Sequence, residues 1–348
     1  MTHVEYEGKK YEVTNDNFLD LGLLDISDIA KIKGLSKLKR LKELELSSNE
    51  IEEIKGLNSL KSLETLNLGS NVIQEIEGLS NLKKLKILHL VSNEIKELKG
   101  LDSLKNLEEL YLRGNAIETI SNLENLTNLK KLDLSWNKIS EIKGLEKLKN
   151  LEVLWIAGNE IKEIKGLDTL RNLEVLNLGG NQIKKLQGLE KLENLKELYI
   201  NNNQITRLEG LENLTNLEAL WGNGNQIEQM TGLENCSNLI TLNLKDNRIF
   251  QISGLYTLEK LQKLFLSNNE IIAIRGLETL QNLETLDLSQ NQIRQIRGME
   301  ALMNLKDLWL KDNPISEHTL EELGGLDPSG CAFLPRKFVE YCLINLSL

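Results

Sequence analysis

The hydrophobic residues of this chain recur with a fixed period of 22 residues. Each period reads LxxLxLxxNxIxxIxGLxxLxx, and its asparagine returns without a slip from Asn49 to Asn313. Within the LxL segment apolar and polar positions alternate, which predicts a short β-strand with its leucines facing a core. Because one such unit cannot bury its apolar face alone, successive units must stack. The pattern therefore predicts a solenoid whose strands form one parallel sheet.

The recurring asparagine is predicted to be buried. A buried amide needs hydrogen-bond partners, and the regular ones are backbone groups of the adjacent turns. We therefore expect the thirteen asparagines to form a ladder. The segment after each asparagine is predicted to return as 3-10 or short helical turns. It contains a glycine slot, which Asn122 occupies in one repeat, and this indicates a positive φ.

These positions resemble the leucine-rich repeat family, in particular its short, 22-residue Sds22-like class of phosphatase-1 regulators. The resemblance covers roughly residues 16–313 and implies an α/β solenoid. The expected fold is a curved, right-handed leucine-rich-repeat superhelix. One long parallel sheet forms its concave face, and short 3-10 or helical turns form its convex face. The C-terminal phrase ELGGLD…KFVEYC is similar to a segment of stand-alone leucine-rich repeat proteins of Asgard archaea.

The repeat register also predicts the organisation of the chain. Solenoid ends need polar-faced caps, because an open sheet edge would pair with other chains. In the first repeat Leu24 replaces the ladder asparagine, which suits a repeat with no upstream neighbour. The predicted parts are a hairpin cap (1–15), an irregular first repeat (16–40), thirteen 22-residue repeats (41–313) and a helical C-terminal cap (314–348).

The outward-facing strand positions vary while the core positions do not. We call the middle outward position of each strand the central column. Its members are Glu45, Asn67, His89, Tyr111, Asp133, Trp155, Asn177, Tyr199, Trp221, Asn243, Phe265, Asp287 and Trp309. Six of the thirteen are aromatic, although aromatic residues make up 4% of the chain. Exposed aromatic residues with a polar group on a rigid sheet are typical of binding hot spots.

The sequence thus predicts a non-catalytic interaction scaffold that binds a protein partner on this face. The predicted partner-binding residues are Tyr111, Asp133, Trp136, Trp155, Asn177, Tyr199, Trp221, Asn243, Phe265, Asp287, Asp307 and Trp309. Sds22-like proteins grip a phosphatase with acidic and aromatic residues in these columns, so the resemblance implies a Ser/Thr phosphatase as one possible partner. At one strand per repeat, alternate rings would lie about 10 Å apart, each free to bind a separate group. The alternative is a carbohydrate or small-ligand receptor, since aromatic residues alternating with Asn and Asp also suit sugars.

Catalysis finds little support in the sequence. The three histidines are scattered, and no hydrolase, zinc-protease or phosphate-loop motif occurs, so we expect no cofactor and no metal. Gly222 stands where the other repeats carry a core Leu or Ile, and the GxG that it begins lacks the third glycine of a nucleotide-binding loop. We expect either that a neighbour fills the space at Gly222 or that the chain bends locally there; the alternative is a pocket in the binding face.

Composition bears on the cellular location of the protein and on the class of partner that it binds. The net charge of −10 disfavours binding to nucleic-acid backbones or anionic membranes. The N-terminus lacks the apolar core of a signal peptide, and an odd count of three cysteines is typical of a reducing compartment. We therefore predict a cytoplasmic protein.

Overall fold

The computed structural model describes residues 2–345; Met1 and residues 346–348 of the predicted caps lie outside the described residues. The chain is a solenoid of about 13 turns with a long parallel sheet and few helices, as the sequence predicts. An antiparallel hairpin of β1 (His3–Tyr6) and β2 (Lys9–Glu12) precedes the parallel strands. These parallel strands are β3 (Phe18–Asp20), β4 (Glu43–Glu45), β5 (Thr65–Asn67), β6 (Ile87–His89), β7 (Glu109–Tyr111), β8 (Lys131–Asp133), β9 (Val153–Trp155), β10 (Val175–Asn177), β11 (Glu197–Tyr199), β12 (Ala219–Trp221), β13 (Thr241–Asn243), β14 (Lys263–Phe265), β15 (Thr285–Asp287) and β16 (Asp307–Trp309).

The chain divides into two compact units. The first unit runs to Ile161 and also includes Lys165–Leu173, and the second comprises Lys162–Ile164 and the chain from Glu174 onward. The first unit contains β3 to β9 and the second contains β10 to β16. Within each unit, consecutive strands pair in parallel and in register, 22 residues apart in the regular repeats.

In the first unit the hairpin joins the irregular repeat through backbone pairing of Glu5 with Lys33. Glu5 N–H donates to Lys33 O at 3.0 Å, and Lys33 N–H donates to Glu5 O at 2.9 Å. Among residues 2–345 the structure has two 3-10 helices, Ile29–Lys31 and Leu35–Lys37, and both lie in this irregular repeat. Elsewhere the returning segments are turns with bonds of the same spacing, such as Leu60 N–H to Leu57 O at 2.9 Å.

In the second unit a cap closes the last strand. Ser316 begins helix α1 (Glu317–Glu322), and its hydroxyl accepts a bond from Thr319 N–H, as an N-cap does. Cys331 then pairs antiparallel with Trp309 of β16, which covers the edge of that strand. Helix α2 (Pro335–Ile344) buries Phe338, Val339 and Cys342.

The predicted asparagine ladder is present. Eleven of its thirteen members are buried, and the other two, Asn115 and Asn313, are half-buried. Asn71 illustrates the bonding, because its Nδ2 donates to Leu46 O and Leu68 O at 3.0 Å, and its Oδ1 accepts from Ile51 N–H at 3.0 Å. Each amide therefore joins two successive turns and satisfies backbone groups that would otherwise be buried without partners.

The glycine slot requires a positive φ, as predicted. Gly78 has a φ of 73°, and a Cβ atom there would lie 1.9 Å from Ile54 O, so no side chain fits without a shift of the backbone. Asn122, which replaces glycine in one repeat, has a φ of 57°. Asparagine tolerates this left-handed conformation better than most residues do.

Candidate binding surface

The strands place the central column on the face opposite the core. In each regular strand the middle residue is buried against the core and the last residue, which belongs to the central column, is half-buried. The parallel register puts equivalent residues side by side, so that His89 pairs with Tyr111 and Tyr199 with Trp221. The rings of the column are therefore half-buried, whereas the sequence led us to expect exposed rings.

In the first unit the rings contact one another. The His89 and Tyr111 rings stack with centroids 4.5 Å apart and planes 3° apart. Tyr111 also stacks with Trp155, two strands away, at 6.4 Å between centroids. The expectation that alternate rings stay about 10 Å apart was therefore wrong, because long side chains two strands apart can lean toward each other. Asp133 occupies the strand between Tyr111 and Trp155.

A carboxylate and a lysine fix the tyrosine of this group. Tyr111 OH donates to Glu109 Oε2 at 2.5 Å, and Lys131 Nζ lies 3.0 Å from Glu109 Oε1. Burial raises the pKa of Tyr111 above its ordinary value, and the bond to Glu109 adds to the effect. Burial also works to raise the pKa of Glu109, but the bonds from Tyr111 and Lys131 outweigh it and lower that pKa. Glu109 is therefore a carboxylate at neutral pH.

The second unit contains a similar group. Tyr199 stacks on Trp221 with centroids 6.0 Å apart and planes 3° apart. Tyr199 OH donates to Glu197 Oε2 at 2.7 Å. Burial, with a smaller contribution from Glu197, raises the pKa of Tyr199 to about 12. Both units thus carry a tyrosine that is held by the carboxylate two residues before it and stacked on a tryptophan.

The last strands of the second unit form an acidic end of the column. Asp287 of β15 pairs in register with Trp309 of β16. Asp307 accepts a bond from Thr285 Oγ1 at 3.2 Å, and Asp287 Oδ1 accepts one from Ser289 N–H at 3.0 Å. The backbone pairing of Cys331 with Trp309 puts the half-buried Cys331 next to this end. The sequence placed Cys331 only in the cap, because pairing of distant segments leaves no periodic signal.

The remaining predicted residues are more separate. Asn177 and Asn243 use Oδ1 to accept a backbone N–H two residues later, from Gly179 and Lys245 respectively. Phe265 makes no ring contact among the described residues. Trp136 follows its strand at a φ of 56° and is 60% exposed. Its indole lies against Gly158, where a Cβ atom would come within 2.8 Å of Trp136 Cδ2.

Gly222 does not open a pocket. A Cβ atom at Gly222 would lie 3.0 Å from Leu244 Cδ2 and 3.7 Å from Ile200 Cδ1. The side chains of the two neighbouring repeats therefore occupy the space that a leucine would fill. The repeat is therefore locally repacked around Gly222, which is one of the expectations from the sequence.

Sequence reasoning missed a second row of asparagines. These residues stand three positions before the first strand residue in nine of the thirteen repeats. Most of their Nδ2 atoms donate to a backbone carbonyl of the previous turn. Asn106, for example, donates to Lys83 O at 2.8 Å, and Asn216 donates to Glu193 O at 2.9 Å. The signal was available in the recurring phrase NLxxL. The row stabilises the turns and flanks two polar grooves, one in each unit.

Neither a cluster of metal-binding side chains nor a membrane-spanning helix is found among the described residues. Over residues 2–345 no group of three or more His, Cys, Asp or Glu side chains is arranged to hold a metal ion. None of the helices in that range combines the length and the apolar character needed to cross a bilayer.

Known structures share this fold. An internalin (inlF) from Listeria monocytogenes is 30% identical, with a TM-score of 0.76, covering 86% of this chain and 89% of the internalin. A leucine-rich repeat protein of Leptospira interrogans is 26% identical, with a TM-score of 0.69 and coverage of 93% and 94%. The plant peptide hormone receptor RGFR1, solved in complex with RGF2, shares the fold at 23% identity, with a TM-score of 0.58 and coverage of 81% and 53%.

Among curated proteins no sequence matches the chain significantly. The family pattern described as leucine rich repeats (2 copies) matches overlapping windows from residue 39 to 235 and from 259 to 324. With its 22-residue repeats and its parallel sheet, the chain belongs to the leucine-rich repeat family.

Proposed function

We propose that this protein is a non-catalytic scaffold that binds a protein partner through the central column. Leucine-rich repeat proteins typically serve as protein-interaction scaffolds, and the structural neighbours are mostly non-enzymatic interaction proteins. The observation that carries the proposal is the tyrosine group found in each unit. There a carboxylate holds a tyrosine that stacks on a tryptophan, on the outward face of a hydrogen-bonded sheet. Such preformed aromatic groups bind with little loss of side-chain entropy.

The chemistry of these groups favours a partner that presents arginine or lysine side chains. Cations bind over aromatic faces and pair with carboxylates, and both are present where Glu109 lies beside Tyr111 and Glu197 beside Tyr199. Asp133 and Asp287 add negative charge to the same column, and the chain as a whole carries −10. This charge also increases the rate at which a basic partner meets the surface.

A phosphatase-regulator-like role is the more specific form of this proposal. It rests on the resemblance of the 22-residue repeat to the Sds22-like class and on the acidic and aromatic residues of the column. We also propose a cytoplasmic location, which the three free thiols support. The similarity of the C-terminal segment to archaeal proteins supports an archaeal source.

Affinity capture from a lysate of the source organism tests the proposal with matched variants. Trp155→Ala and Trp221→Ala remove one stacked ring from each unit, while Phe250→Ala removes an exposed ring outside the strands. We expect wild type and Phe250→Ala to retain one protein stoichiometrically, and each tryptophan variant to bind it about thirtyfold more weakly, which is about 2 kcal/mol. Equal retention by all four proteins, or no stoichiometric protein, would overturn the proposal.

The same eluates address the more specific readings. Mass spectrometry that identifies a Ser/Thr phosphatase supports the regulator role, and any other protein leaves only the scaffold function. A glycan array tests the carbohydrate alternative.

A further inference from the structure

A row of alternating charges runs along the first unit, three residues before the central column in each repeat. Each residue of the row immediately precedes a strand, from β4 to β9. We call it the charge ladder, and its members in order are Lys42, Glu64, Lys86, Glu108, Lys130 and Glu152. Successive members are joined by backbone bonds, for example Lys86 N–H to Glu64 O and Glu108 N–H to Lys86 O, both at 2.8 Å. The sheet therefore holds the six charges about 4.8 Å apart over a span of about 24 Å.

The charges of the ladder are accessible. The side chains of Lys42, Lys86 and Lys130 are 54%, 50% and 48% exposed, and those of Glu64 and Glu108 are 32% and 39% exposed. Together with neighbouring asparagines, most of the ladder lines a polar groove of about 390 Å³. Within the chain, Lys86 lies 2.8 Å from Glu64, and Lys130 lies 2.8 Å from Glu108. Such exposed pairs contribute little to stability, so these lysine and glutamate side chains can exchange an intrachain partner for one on another copy at little cost.

Two copies of the ladder that run in opposite directions present opposite charges to each other. Read forward the ladder is + − + − + −, and read backward it is − + − + − +. Two copies related by a two-fold axis between Lys86 and Glu108 would therefore pair every charge with its opposite. Lys86 would face Glu108 of the partner copy, and Glu64 would face Lys130 of the partner copy. A two-fold axis generates each of these pairs twice, and the spacings match because both rows have the same strand separation.

Other arrangements of two ladders are less favourable. In a parallel arrangement in register, every charge faces its like. A shift of the antiparallel arrangement by one repeat also pairs like charges, and a shift by two repeats keeps only four of the six pairs. A parallel arrangement shifted by one repeat pairs five opposite charges and leaves one charge of each copy unpaired. Because like charges that face each other repel, the antiparallel register centred between Lys86 and Glu108 is favoured, as it pairs all six charges.

We infer that the charge ladder is a self-association surface whose partner is a second, antiparallel copy of this chain. The association is weak, because it depends on exposed ion pairs without an apolar centre. It also depends on salt in a defined way. At about 0.1 M salt the net charge of −10 on each copy is screened beyond about 10 Å, whereas charges in contact still attract. At about 1 M salt the contact pairs are screened as well.

Sedimentation equilibrium of the full chain with charge-reversal variants tests this inference. Lys86→Glu places two carboxylates opposite each other at each of the two central contacts, and Glu108→Lys places two cations there. We expect wild type to dimerise reversibly at about 0.1 M salt and to dissociate at about 1 M, and each variant alone to dimerise at least tenfold more weakly. An equal mixture of the two variants regains wild-type dimerisation, because each substituted residue then faces its opposite charge.

The mixing experiment separates self-association from a role within one chain, since mixing cannot repair contacts inside a chain. Lys138→Glu is the matched control, because it changes the net charge as Lys86→Glu does but at an exposed position outside the ladder. It should dimerise like wild type. Glu64→Lys and Lys130→Glu form a second facing pair if a first variant fails to fold. A monomeric wild type at all soluble concentrations, or a mixture no better than its components, would overturn the inference.

Discussion

The asparagine ladder and the central column both repeat every 22 residues, yet the ladder stabilises the fold and the column faces outward. Asn247 of the ladder is buried and bonds to backbone groups of two turns. Asn243, four residues earlier in the central column, is half-buried and accepts one bond from the nearby Lys245 N–H. The comparison teaches that the direction in which a side chain points, more than its type, decides whether it stabilises the fold or is available for binding.

The largest expected effect is the loss of stability when a ladder asparagine is replaced. Asn247→Leu removes the acceptor of Ile227 N–H and the donor to Gly222 O and Leu244 O. Each buried group left without a partner costs about 1–3 kcal/mol, so we expect a loss of about 3 kcal/mol or more in the free energy of unfolding. Urea denaturation measures it.

Asn243→Leu is the matched control, because it makes the same substitution in the same repeat. We expect it to change the free energy of unfolding by under about 1 kcal/mol, as is usual at surface sites. Equal urea midpoints for the two variants would mean that the two columns do not differ as described.

The cysteines extend the comparison to reactivity. Cys236 replaces a core leucine, and burial raises the pKa of its thiol to about 12. Cys331 pairs with Trp309 and is half-buried; burial also raises the pKa of its thiol. Because the thiolate is the reactive form and must reach the reagent, we expect native Cys331 to be alkylated about a hundredfold faster than Cys236, equivalent to about 2.7 kcal/mol. Peptide mapping after timed alkylation measures both rates.

The denatured chain provides the reference for this measurement. Without a reducing agent it should yield three alkylated cysteines, since all three are free in the structure. Similar native rates for Cys236 and Cys331 would contradict the assignment of one to the core and the other to the edge of the outward face.

The smallest expected effect is a change in the titration of Tyr199. Its pKa of about 12 lies above the ordinary 10.0, chiefly through burial and secondly through Glu197. Glu197→Gln removes the charge, so we expect the pKa of Tyr199 to fall by less than one unit and to stay above the ordinary value. NMR of labelled tyrosine ring carbons at high pH measures the shift.

The sign of the linked stability follows from this pKa. A tyrosine whose pKa is raised by folding stabilises the fold at pH values below about 10, and that contribution is lost as the pH rises toward 12. Glu209→Gln, an exposed substitution in the same unit, is the control. An unchanged pKa of Tyr199 in the Glu197→Gln protein would show that the hydrogen bond does not act as described.

The repeat made most of the fold predictable. Strict periodicity predicted the strands, the parallel register, the buried asparagines and the positive φ at positions such as Gly78 and Asn122. The second row of asparagines, to which Asn106 belongs, was missed although it recurs in nine of the thirteen repeats. Its residues are exposed, and an exposed asparagine is usually interpreted as a solvated loop residue, so the pattern did not indicate a bond.

The amino-acid sequence by itself determined which residues face the core and which face outward, because a period of two within a period of 22 leaves no other way to bury the leucines. Only the tertiary structure decided how the outward side chains meet. The stacking of Tyr111 on Trp155, the bond from Tyr199 to Glu197 and the placement of Cys331 beside Trp309 depend on side-chain rotamers and on contacts between distant segments. Neither produces a periodic signal along the chain, so both require coordinates in three dimensions.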